Sequence, residues 1–548
     1  MSIPSGVVPK PLTEWPNRHE NFVQPLTPGA SFKLQLPNLP SARERYQQTT
    51  ANIQWLIREA IQTGFSLRAM GNNWSFTKVG VSDGGIVDTV SLKQTKIITN
   101  TMVAPAYLEA GKSAGNLFFT QCGMKVLELE TILEGRGKSL RASGASNAQT
   151  IVGALSTGTH GAAYRFGAVH DQVVGIHLVC GPDRHVWLER ASYPVAGDGL
   201  LDWMGKPEIM RDDDLFNAVL VSFGSFGIIH GVLLETEDLF WLKGYSQKQI
   251  PYNDGLKKAM TELDFSGLTQ AMSLPTPQPG FEPYHFQMIV NPHQFDRAGL
   301  NPNRGAYVRI LYKANQKPPA DQDPPVAGAF TYGDSTMGLV QTILDRIGPF
   351  APLLVPSMVN LLYPQALEDT NGVVGTMSEF FGNTNIRGKA TSAAIGVSAA
   401  DSPRVLEEIV QLNDQHAFPG ILGLRWVKKT PALLGFTRYA VTCVIELDGV
   451  TSNLTDAFLE RIWNRLDLLG IAYTMHWGKI NFGLNEGRVR TMYTDLSVNR
   501  WLRARQELLD NATQTVFTNA FMQQCGLDKS GLPVVPISPP SPVVSPVV

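Results

Sequence analysis

The sequence feature that most constrains the fold is a run of small residues at positions 143–161, SGASNAQTIVGALSTGTHG. Glycine lets the backbone approach a ligand closely but costs conformational entropy, so such a run needs a structural or functional reason. The run lacks the lysine of a GxxxxGK[ST] phosphate loop and the GxGxxG pattern of a doubly wound dinucleotide-binding sheet. It therefore predicts either a loop and helix start that lie against a large planar ligand, or a tightly packed structural loop.

Length and composition describe an ordinary globular protein with more than one core. The chain has 548 residues, a hydrophobic fraction of 43% and a net charge of −2, which together favour two or more domains. The near-neutral charge gives no indication of a nucleic-acid or anionic-membrane surface. The four cysteines are widely spaced and form no CxxC pair, so they indicate buried thiols in a reducing compartment rather than disulfides or a metal site.

Both termini are rich in proline. Residues 1–40 predict an extended arm packed on the first domain, and residues 529–548 have the composition of a disordered tail. The N-terminal segment contains no apolar run long enough for a signal peptide. We therefore expect a cytoplasmic protein.

The first 240 residues alternate helix and strand signals with glycine-rich turns. Apolar residues at helical spacing after Ser41 predict a helix that ends at Gly64, followed by a strand at 65–70 and a Gly/Asn/Ser turn at 71–76. Such a turn can direct backbone N–H groups at a pyrophosphate. Further strands are predicted at 85–91, 106–110, 126–127 and 173–180, and the segment 223–234 predicts a third glycine-rich turn followed by a β-branched strand.

From about residue 241 the pattern changes. Strands are predicted at 285–290, 307–312, 423–427 and 439–447, helices at 402–416 and 452–469, a proline-broken helix at 339–362, and a strand leading to His476. Strands joined by helices on one side indicate an antiparallel sheet in an α+β domain.

Five segments, in order along the chain, resemble the vanillyl-alcohol oxidase and p-cresol methylhydroxylase flavoproteins. They are RAMGNNWSF (68–76), ASNAQTIVGALSTGTHG (145–161), GSFGIIHGVLL (224–234), MHWGK (475–479) and WLRARQELLDNATQTVFTNAF (501–521). Within this family the chain is most similar to aldonolactone and alditol oxidases and to the second type of bacterial cholesterol oxidase. The resemblance implies an α+β fold: a two-subdomain FAD-binding domain at 41–240 that is completed by 490–528, with a cap domain at 241–489 as the substrate wall.

The resemblance also implies which residues bind FAD. The first turn and the small-residue run would hold the diphosphate and the isoalloxazine, and 224–234 would close over the cofactor. The predicted FAD-binding residues are Arg68, Ala69, Gly71, Asn72, Asn73, Trp74, Ser75, Ser143, Gly144, Ser146, Thr150, Gly153, Ala154, Ser156, Thr157, Gly158, Thr159, His160, Gly161, Gly227, Ile228, Ile229 and Asn519.

Four cap residues are the candidates for catalysis: Arg425, Glu446, His476 and Lys479. By resemblance to alditol oxidases, Arg425 belongs to a Glu-x-Arg pair on one cap strand, with the lysine of HWGK nearby. Here the acidic position is Gly423, which puts a sugar-alcohol substrate in doubt because polyol hydroxyls are recognised by carboxylates. Each candidate also has an ordinary structural interpretation: His476 as a core histidine, Lys479 as a surface lysine, Glu446 as a strand-end acid and Arg425 as part of a solvated basic edge. No feature of the sequence explains why a histidine is present at position 230.

The predicted function is an FAD-dependent oxidoreductase that oxidises a CH–OH group of a small-molecule substrate and passes the electrons to O2. Apolar cap segments at 353–362 and 380–381, together with Trp426, Phe436 and Tyr439, favour a bulky, partly apolar alcohol or ring substrate. Two alternatives stay open: a dehydrogenase with another electron acceptor, and a protein whose flavin is structural or not used for net redox chemistry. No metal, nucleic-acid or membrane partner is predicted, and the oligomeric state is left open.

The first turn leads to a prediction about how FAD is attached. Relatives with covalent FAD carry a histidine there, whereas this chain has Asn72, Asn73 and Trp74, and 143–153 contains no cysteine. Acid precipitation of the purified protein is therefore expected to leave the yellow colour in the supernatant. A yellow pellet would contradict non-covalent binding and point to another histidine, such as His160 or His170.

Overall fold

The computed structural model describes residues 2–321, 335–347, 352–382 and 388–529. The predicted tail from Ser530 onward lies outside these ranges, and so do residues 322–325 of the proline-rich segment 317–325. The strands of the first 240 residues are β1 (Val7–Lys10), β2 (Glu14–Pro16), β3 (Val23–Pro25), β4 (Ser31–Leu34), β5 (Leu67–Met70), β6 (Gly85–Asp88), β7 (Thr95–Ile97), β8 (Leu117–Gln121), β9 (Lys138–Ser139), β10 (Val173–Val179), β11 (His185–Glu189), β12 (Glu208–Arg211), β13 (Ile228–Glu235) and β14 (Glu237–Asp238).

The helices of this region begin with the long predicted one. They are α1 (Ala42–Thr63), α2 (Pro105–Glu109), α3 (Val126–Glu134), α4 (Ile151–Thr157), α5 (Asp198–Met204) and α6 (Asp213–Leu220). Helix α1 begins with a capping box between Ser41 and Glu44 and ends at Gly64, whose φ of 78° is the left-handed conformation that glycine adopts at low cost. Its boundaries therefore confirm the sequence prediction.

Two sheets form the first region. β1, β4, β6 and β5 make a four-stranded sheet in that order, so the N-terminal arm supplies an edge strand to it. β12, β11, β10, β13, β8 and β7 make a six-stranded sheet, and β2–β3 and β9–β14 are separate pairs. The predicted strands at 173–180 and 223–234 are confirmed as β10 and β13, which pair with each other.

Two predicted strands of this region are wrong. Residues 106–109 lie in α2, which Ala110 caps, and residues 126–127 begin α3. Pro105 occupies the first turn of α2, where its fixed φ favours a helix and its missing N–H is not needed. At the start of α3, the Glu128 carboxylate accepts from the backbone N–H of Lys125. Short apolar runs do not reveal their period, so these local signals decided the structure.

The second region contains one eight-stranded sheet in the order β18-β15-β17-β16-β20-β21-β19-β22. Its strands are β15 (Trp241–Ile250), β16 (Phe281–Val290), β17 (Ala306–Ala314), β18 (Thr370–Gly375), β19 (Ala390–Ser398), β20 (Gly420–Lys428), β21 (Val441–Val450) and β22 (Thr474–Met475). Every pairing in it is antiparallel. This confirms the α+β fold with an antiparallel cap sheet.

Helices cover this sheet. They are α7 (Asp254–Glu262), α8 (Thr269–Met272), α9 (Ser335–Ile347), α10 (Val355–Ala366), α11 (Met377–Phe381), α12 (Ser402–Gln415) and α13 (Asn453–Leu468). The predicted proline-broken helix corresponds to α9 and α10, and a 3-10 turn at Pro352–Leu354 leads into α10. Helix α9 packs against β19, β20 and β21, and so covers the strands that carry the predicted catalytic residues.

The last helices return to the first region. They are α14 (Glu486–Leu508), α15 (Asn511–Val516) and α16 (Ala520–Gln524). α14 packs against α6 and α15 packs against α1. Trp501 and Arg505 of α14 donate to the backbone carbonyls of Val221 and Ser225, next to the third glycine-rich turn. Across the described ranges, none of the helices is long and apolar enough to cross a membrane.

His230, which the sequence left unexplained, belongs to a buried polar network in the first region. Its ring stacks on Tyr46 at 4.0 Å, and its nitrogens lie 3.1 Å from Thr50 Oγ1 and 2.9 Å from Gln121 Nε2. Tyr46 also hydrogen-bonds His177 Nδ1 at 2.6 Å. Burial lowers the pKa of His230 to about 3 and that of His177 well below its usual range. Both imidazoles are therefore neutral in the folded protein.

This network predicts a loss of stability in mild acid. The pKa of a histidine in the unfolded chain is about 6.5, so below that pH the unfolded state binds protons that the buried rings do not. The stability is complete above pH 6.5 and falls as the pH drops towards the folded pKa, by about 1.4 kcal/mol per pH unit for each such ring. His230→Gln should flatten the dependence of Tm on pH between 6.5 and 5.

A matched control is His416→Gln, at the exposed end of α12. This control should keep the wild-type slope. An unchanged slope in His230→Gln would contradict the account of His230 as a neutral buried ring.

Candidate active site

A large cleft lies between the first region and the cap sheet. It has an empty volume of about 1490 Å³, including space open to solvent at its mouth. Its walls come from the first turn, the small-residue run, the third glycine-rich turn and the cap.

The first turn is held by its own asparagines. The Asn72 side chain donates to the carbonyl of Ala148, which joins the turn to the small-residue run. Asn73 has a φ of 65°, and its side chain donates to the carbonyl of Pro16 in the N-terminal arm at 2.8 Å. Asparagine tolerates this left-handed conformation better than most residues. These asparagines therefore fix the backbone of the turn.

The small-residue run is anchored from behind by a buried carboxyl group. Ser143 donates to Glu130 at 2.5 Å, and Asn147 donates to the same carboxyl at 3.0 Å. Burial is the main reason that the pKa of Glu130 rises to about 8. Thr150 then caps α4 by accepting from the N–H of Gly153. The run is thus both a packed structural loop and a wall of the cleft.

The glycines of the run are explained partly by protein contacts. Gly158 ends α4 with a φ of 84°, which favours glycine. A Cβ on Gly161 would lie 2.2 Å from the carbonyl oxygen of Ser143, so only glycine fits there. Neither residue lines the cleft.

The structure brings most of the predicted residues to the cleft. All four predicted catalytic residues line it. So do these predicted FAD-binding residues: Ala69, Gly71, Asn72, Asn73, Trp74, Ser75, Ser146, Thr150, Gly153, Ser156, Thr157, Thr159, His160, Gly227 and Ile229. Eight others lie behind the walls: Arg68, Ser143, Gly144, Ala154, Gly158, Gly161, Ile228 and Asn519.

Arg68 and Asn519 support the walls from behind. The Arg68 side chain is buried next to Gly224 and contacts Met522. The Asn519 side chain donates to the carbonyls of Lys78, Val79 and Val81, and the last of these distances is 2.7 Å. Because Val81 lines the cleft, Asn519 positions a wall that it does not itself form.

The cap contributes a buried cluster of charges. Arg425 Nη1 lies 2.7 Å from Glu446 Oε2, and Lys479 binds the other carboxylate oxygen, Oε1. Glu446 lies directly opposite Gly423 in the β20–β21 ladder. A Cβ on Gly423 would lie 3.5 Å from Glu446 Oε2. The acid that is missing at Gly423 is therefore present on the neighbouring strand, and it pairs with the same arginine.

The two cations keep Glu446 ionised. Burial by itself raises the pKa of this carboxyl, but the charges of Arg425 and Lys479 outweigh burial, and the pKa is well below its usual range. The cluster therefore places two cations, Arg425 and Lys479, beside one anion. A buried positive charge stabilises an oxygen on which negative charge develops.

Two histidines flank this cluster with opposite tautomers. His160 Nδ1 lies 2.9 Å from the carbonyl of Gly161, so Nδ1 carries the proton and Nε2 is the acceptor. His476 Nδ1 accepts from the N–H of Gly478 at 3.0 Å, so Nε2 carries the proton. Burial lowers the pKa of His160 to about 4 and that of His476 well below its usual range. One neutral ring can thus accept a proton and the other can donate a hydrogen bond.

Several buried polar atoms on the cleft wall have no hydrogen-bond partner within the described residues. They are Trp74 Nε1, Asn73 Oδ1 and Gln149 Oε1, and all three residues line the cleft. Such groups are costly when left unpaired. The third glycine-rich turn adds Gly224, which lines the cleft and has no side chain. Its φ of 71° is in the left-handed region that favours glycine. A large ligand with donors and acceptors along its length, as FAD has, fits this wall.

Comparison with known proteins agrees with this fit. A family model described as an FAD binding domain matches residues 45–188. The chain is 28% identical over 446 residues to L-gulono-1,4-lactone dehydrogenase of Mycobacterium tuberculosis, covering 81% of this chain and 87% of that protein. It is 34% identical over 133 residues to L-gulonolactone oxidase 3 of Arabidopsis thaliana, covering 24% of this chain and 20% of that protein.

The fold agrees as well. The crystal structure of cholesterol oxidase from B. sterolicum superposes with a TM-score of 0.67 at 14% identity, and the match covers 95% of this chain and 97% of that one. These findings confirm the predicted resemblance to the vanillyl-alcohol oxidase and p-cresol methylhydroxylase flavoproteins. The chain is an FAD-dependent oxidoreductase, and the expected FAD cofactor is confirmed.

The predicted apolar lining of this flavoprotein does not line the cleft. Leu353 and Leu354 are exposed, and Phe380 and Phe381 lie in a separate core cluster. Trp426 stacks on Phe286 inside the cap core. The prediction was wrong because composition shows that a segment is apolar but not which side of a sheet it covers.

Sequence analysis missed several residues that line the cleft. They include Trp15 and His19 of the arm, Phe223 and Gly224 of the third turn, and Ser392 of β19. The third turn was within reach, because GSFG begins the segment that carried the resemblance. The arm residues had no local signal, since their place depends on a contact made across more than 50 residues.

The support role of Asn519 gives a prediction for this flavoprotein. Asn519→Ala removes three hydrogen bonds to the 78–81 wall, so FAD should dissociate about ten- to a hundredfold more readily at a cost of about 1–3 kcal/mol. Flavin fluorescence during dilution measures the release. Asn511→Ala, at the exposed start of α15, is the control. Equal FAD retention in both variants would contradict the support role.

Proposed function

We propose that this flavoprotein oxidises a CH–OH group of a small, polar ring substrate of the aldonolactone type and passes the electrons to O2. The observation that carries the proposal is the buried Arg425–Glu446–Lys479 cluster at the cap wall of the cleft. FAD attached without a covalent bond is part of the proposal, since the first turn has no histidine.

The cluster favours a hydroxylated substrate over an apolar one. Arg425 and Glu446 are each at most 2% exposed, and hydrocarbon placed against such buried charges offers them no hydrogen bond. Hydroxyl and carbonyl oxygens of a lactone can bind both the cations and the carboxylate. We therefore propose a polar ring substrate in place of the bulky, partly apolar substrate that composition favoured.

The residues have distinct roles in this proposal. When bound, FAD supplies the two-electron acceptor for the hydrogen that leaves carbon. Glu446 accepts a hydrogen bond from a substrate hydroxyl and orients the ring. His160 Nε2 takes the proton of the reacting hydroxyl, and the ammonium of Lys479 stabilises the negative charge that develops on its oxygen. His476 donates from Nε2 to a second substrate oxygen.

The relatives support this substrate class. The M. tuberculosis protein, which aligns with most of the chain, is named for L-gulono-1,4-lactone. Its name is also that of a dehydrogenase, which keeps an acceptor other than O2 as the second candidate. The other alternative, a flavin without redox use, does not fit an FAD-dependent oxidoreductase, and the acid that is missing at Gly423 has a counterpart in Glu446.

The proposal predicts a defined response to lactones. Anaerobic addition of L-gulono-1,4-lactone or D-arabinono-1,4-lactone should bleach the flavin absorbance near its long-wavelength maximum, and cholesterol should not. If the colour returns fast when air is admitted, the protein is an oxidase. If it returns slowly in air but fast after an artificial electron acceptor is added, the protein is a dehydrogenase. Bleaching by cholesterol but by neither lactone would contradict the substrate class.

The same assay tests the cluster. Lys479→Met keeps the length of the side chain and removes its charge, so bleaching by the lactone should slow about a hundredfold or more, while FAD stays bound. A rate close to that of the wild type would show that Lys479 has no part in the reaction.

A further inference from the structure

The N-terminal arm reaches the cleft through the connection between β2 and β3. This connection, residues 17–22, lies against the first turn: the N–H of Arg18 donates to Asn73, and the Asn17 side chain donates to the carbonyl of Ser75 at 3.0 Å. The Asn21 side chain donates to the carbonyl of Phe76 at 2.7 Å. The arm is therefore fixed in place on the wall that holds FAD.

His19 lies at the centre of this connection and is fully buried. Its ring stacks on Phe76 with 3.9 Å between ring centroids and an angle of 11°, and its centroid lies 5.8 Å from that of Trp74 in a T-shaped pair. Stacking covers one face of the imidazole, and the residue lines the cleft.

Neither ring nitrogen of His19 makes a hydrogen bond of ordinary geometry with the described residues. The indole nitrogen of Trp74, next to it, is also unpaired there. A buried polar group without a partner is costly, and a phenylalanine would stack on Phe76 equally well. Packing alone therefore does not account for a histidine at this position.

The first turn, on which His19 stacks, is joined to the cap. The N–H of Phe76 donates to the carbonyl of Gly478, next to Lys479. Burial and then the charge of Arg18 lower the pKa of His19 to about 3; an interaction with the Trp74 backbone opposes the shift, and the charge of Lys479 adds a smaller lowering. The ring is neutral and offers one N–H donor and one acceptor.

We propose that His19 is a substrate-binding residue, whose imidazole hydrogen-bonds a hydroxyl group of the substrate in the cleft. The N-terminal arm thereby forms part of the substrate site. This inference rests on the proposed function for the nature of the ligand, a hydroxylated ring, but not for the position of His19.

The test uses the FAD-loaded protein and L-gulono-1,4-lactone. His19→Phe keeps the stacking on Phe76 and removes both nitrogens, so the KM for the lactone should rise about tenfold, with kcat changed less and FAD content unchanged. His19→Gln, which keeps a donor and an acceptor, should recover part of the affinity. His416→Phe, at an exposed site, should behave as the wild type.

The outcomes separate this inference from the proposed function. If the wild type oxidises the lactone and His19→Phe has the same KM, His19 is not a substrate-binding residue. If another alcohol of a polyol and sterol panel is oxidised instead, the lactone assignment fails, and His19 is judged by the same KM ratio for that alcohol. If the wild type binds none of the panel, both fail. Acid-stable flavin in the wild type that becomes extractable in His19→Phe would mean that His19 is joined to FAD, which also overturns the inference.

Discussion

The account of this flavoprotein depends on one interaction, the buried contact of Glu446 with Arg425 and Lys479. A buried carboxylate is stable only with compensating charge, which Arg425 and Lys479 supply. All three charged groups line the cleft, where a substrate oxygen can meet them. The three residues come from β20, β21 and the loop after β22, so the cluster exists only when the antiparallel cap sheet is complete.

The rest of the structure brings this cluster to the FAD wall. The N–H of Phe76 in the first turn donates to the carbonyl of Gly478, and the hydroxyl of Thr77 just after the turn donates to the carbonyl of Trp477. The C-terminal helices support another part of that wall through Asn519. The arm closes the same wall from outside. Distant parts of the chain therefore meet at one cleft, and motifs that are far apart in the sequence form a single site.

The sequence predicted the elements with strong local signals. The capping residues of α1, the apolar runs of β10 and β13 and the antiparallel cap were all predictable. The resemblance led to the four charged or imidazole residues of the cap that line the cleft. What could not be predicted was register: nothing in the sequence indicates that Glu446 lies opposite Gly423, because pairing depends on the whole sheet. The same holds for His19, whose surroundings come from residues more than 50 positions away.

Moving the carboxylate across the β20–β21 ladder tests the central claim most directly. Glu446→Gly should lose about two decades or more in the rate of anaerobic flavin bleaching by substrate. The double variant Gly423→Glu/Glu446→Gly restores a carboxylate opposite its original position and next to Arg425, with Thr336 as the neighbour that must shift slightly. We expect it to recover at least about tenfold of that loss, consistent with a single charge-assisted contact. A folded, FAD-loaded double variant no faster than Glu446→Gly would contradict the claim that the site requires a carboxylate paired with Arg425.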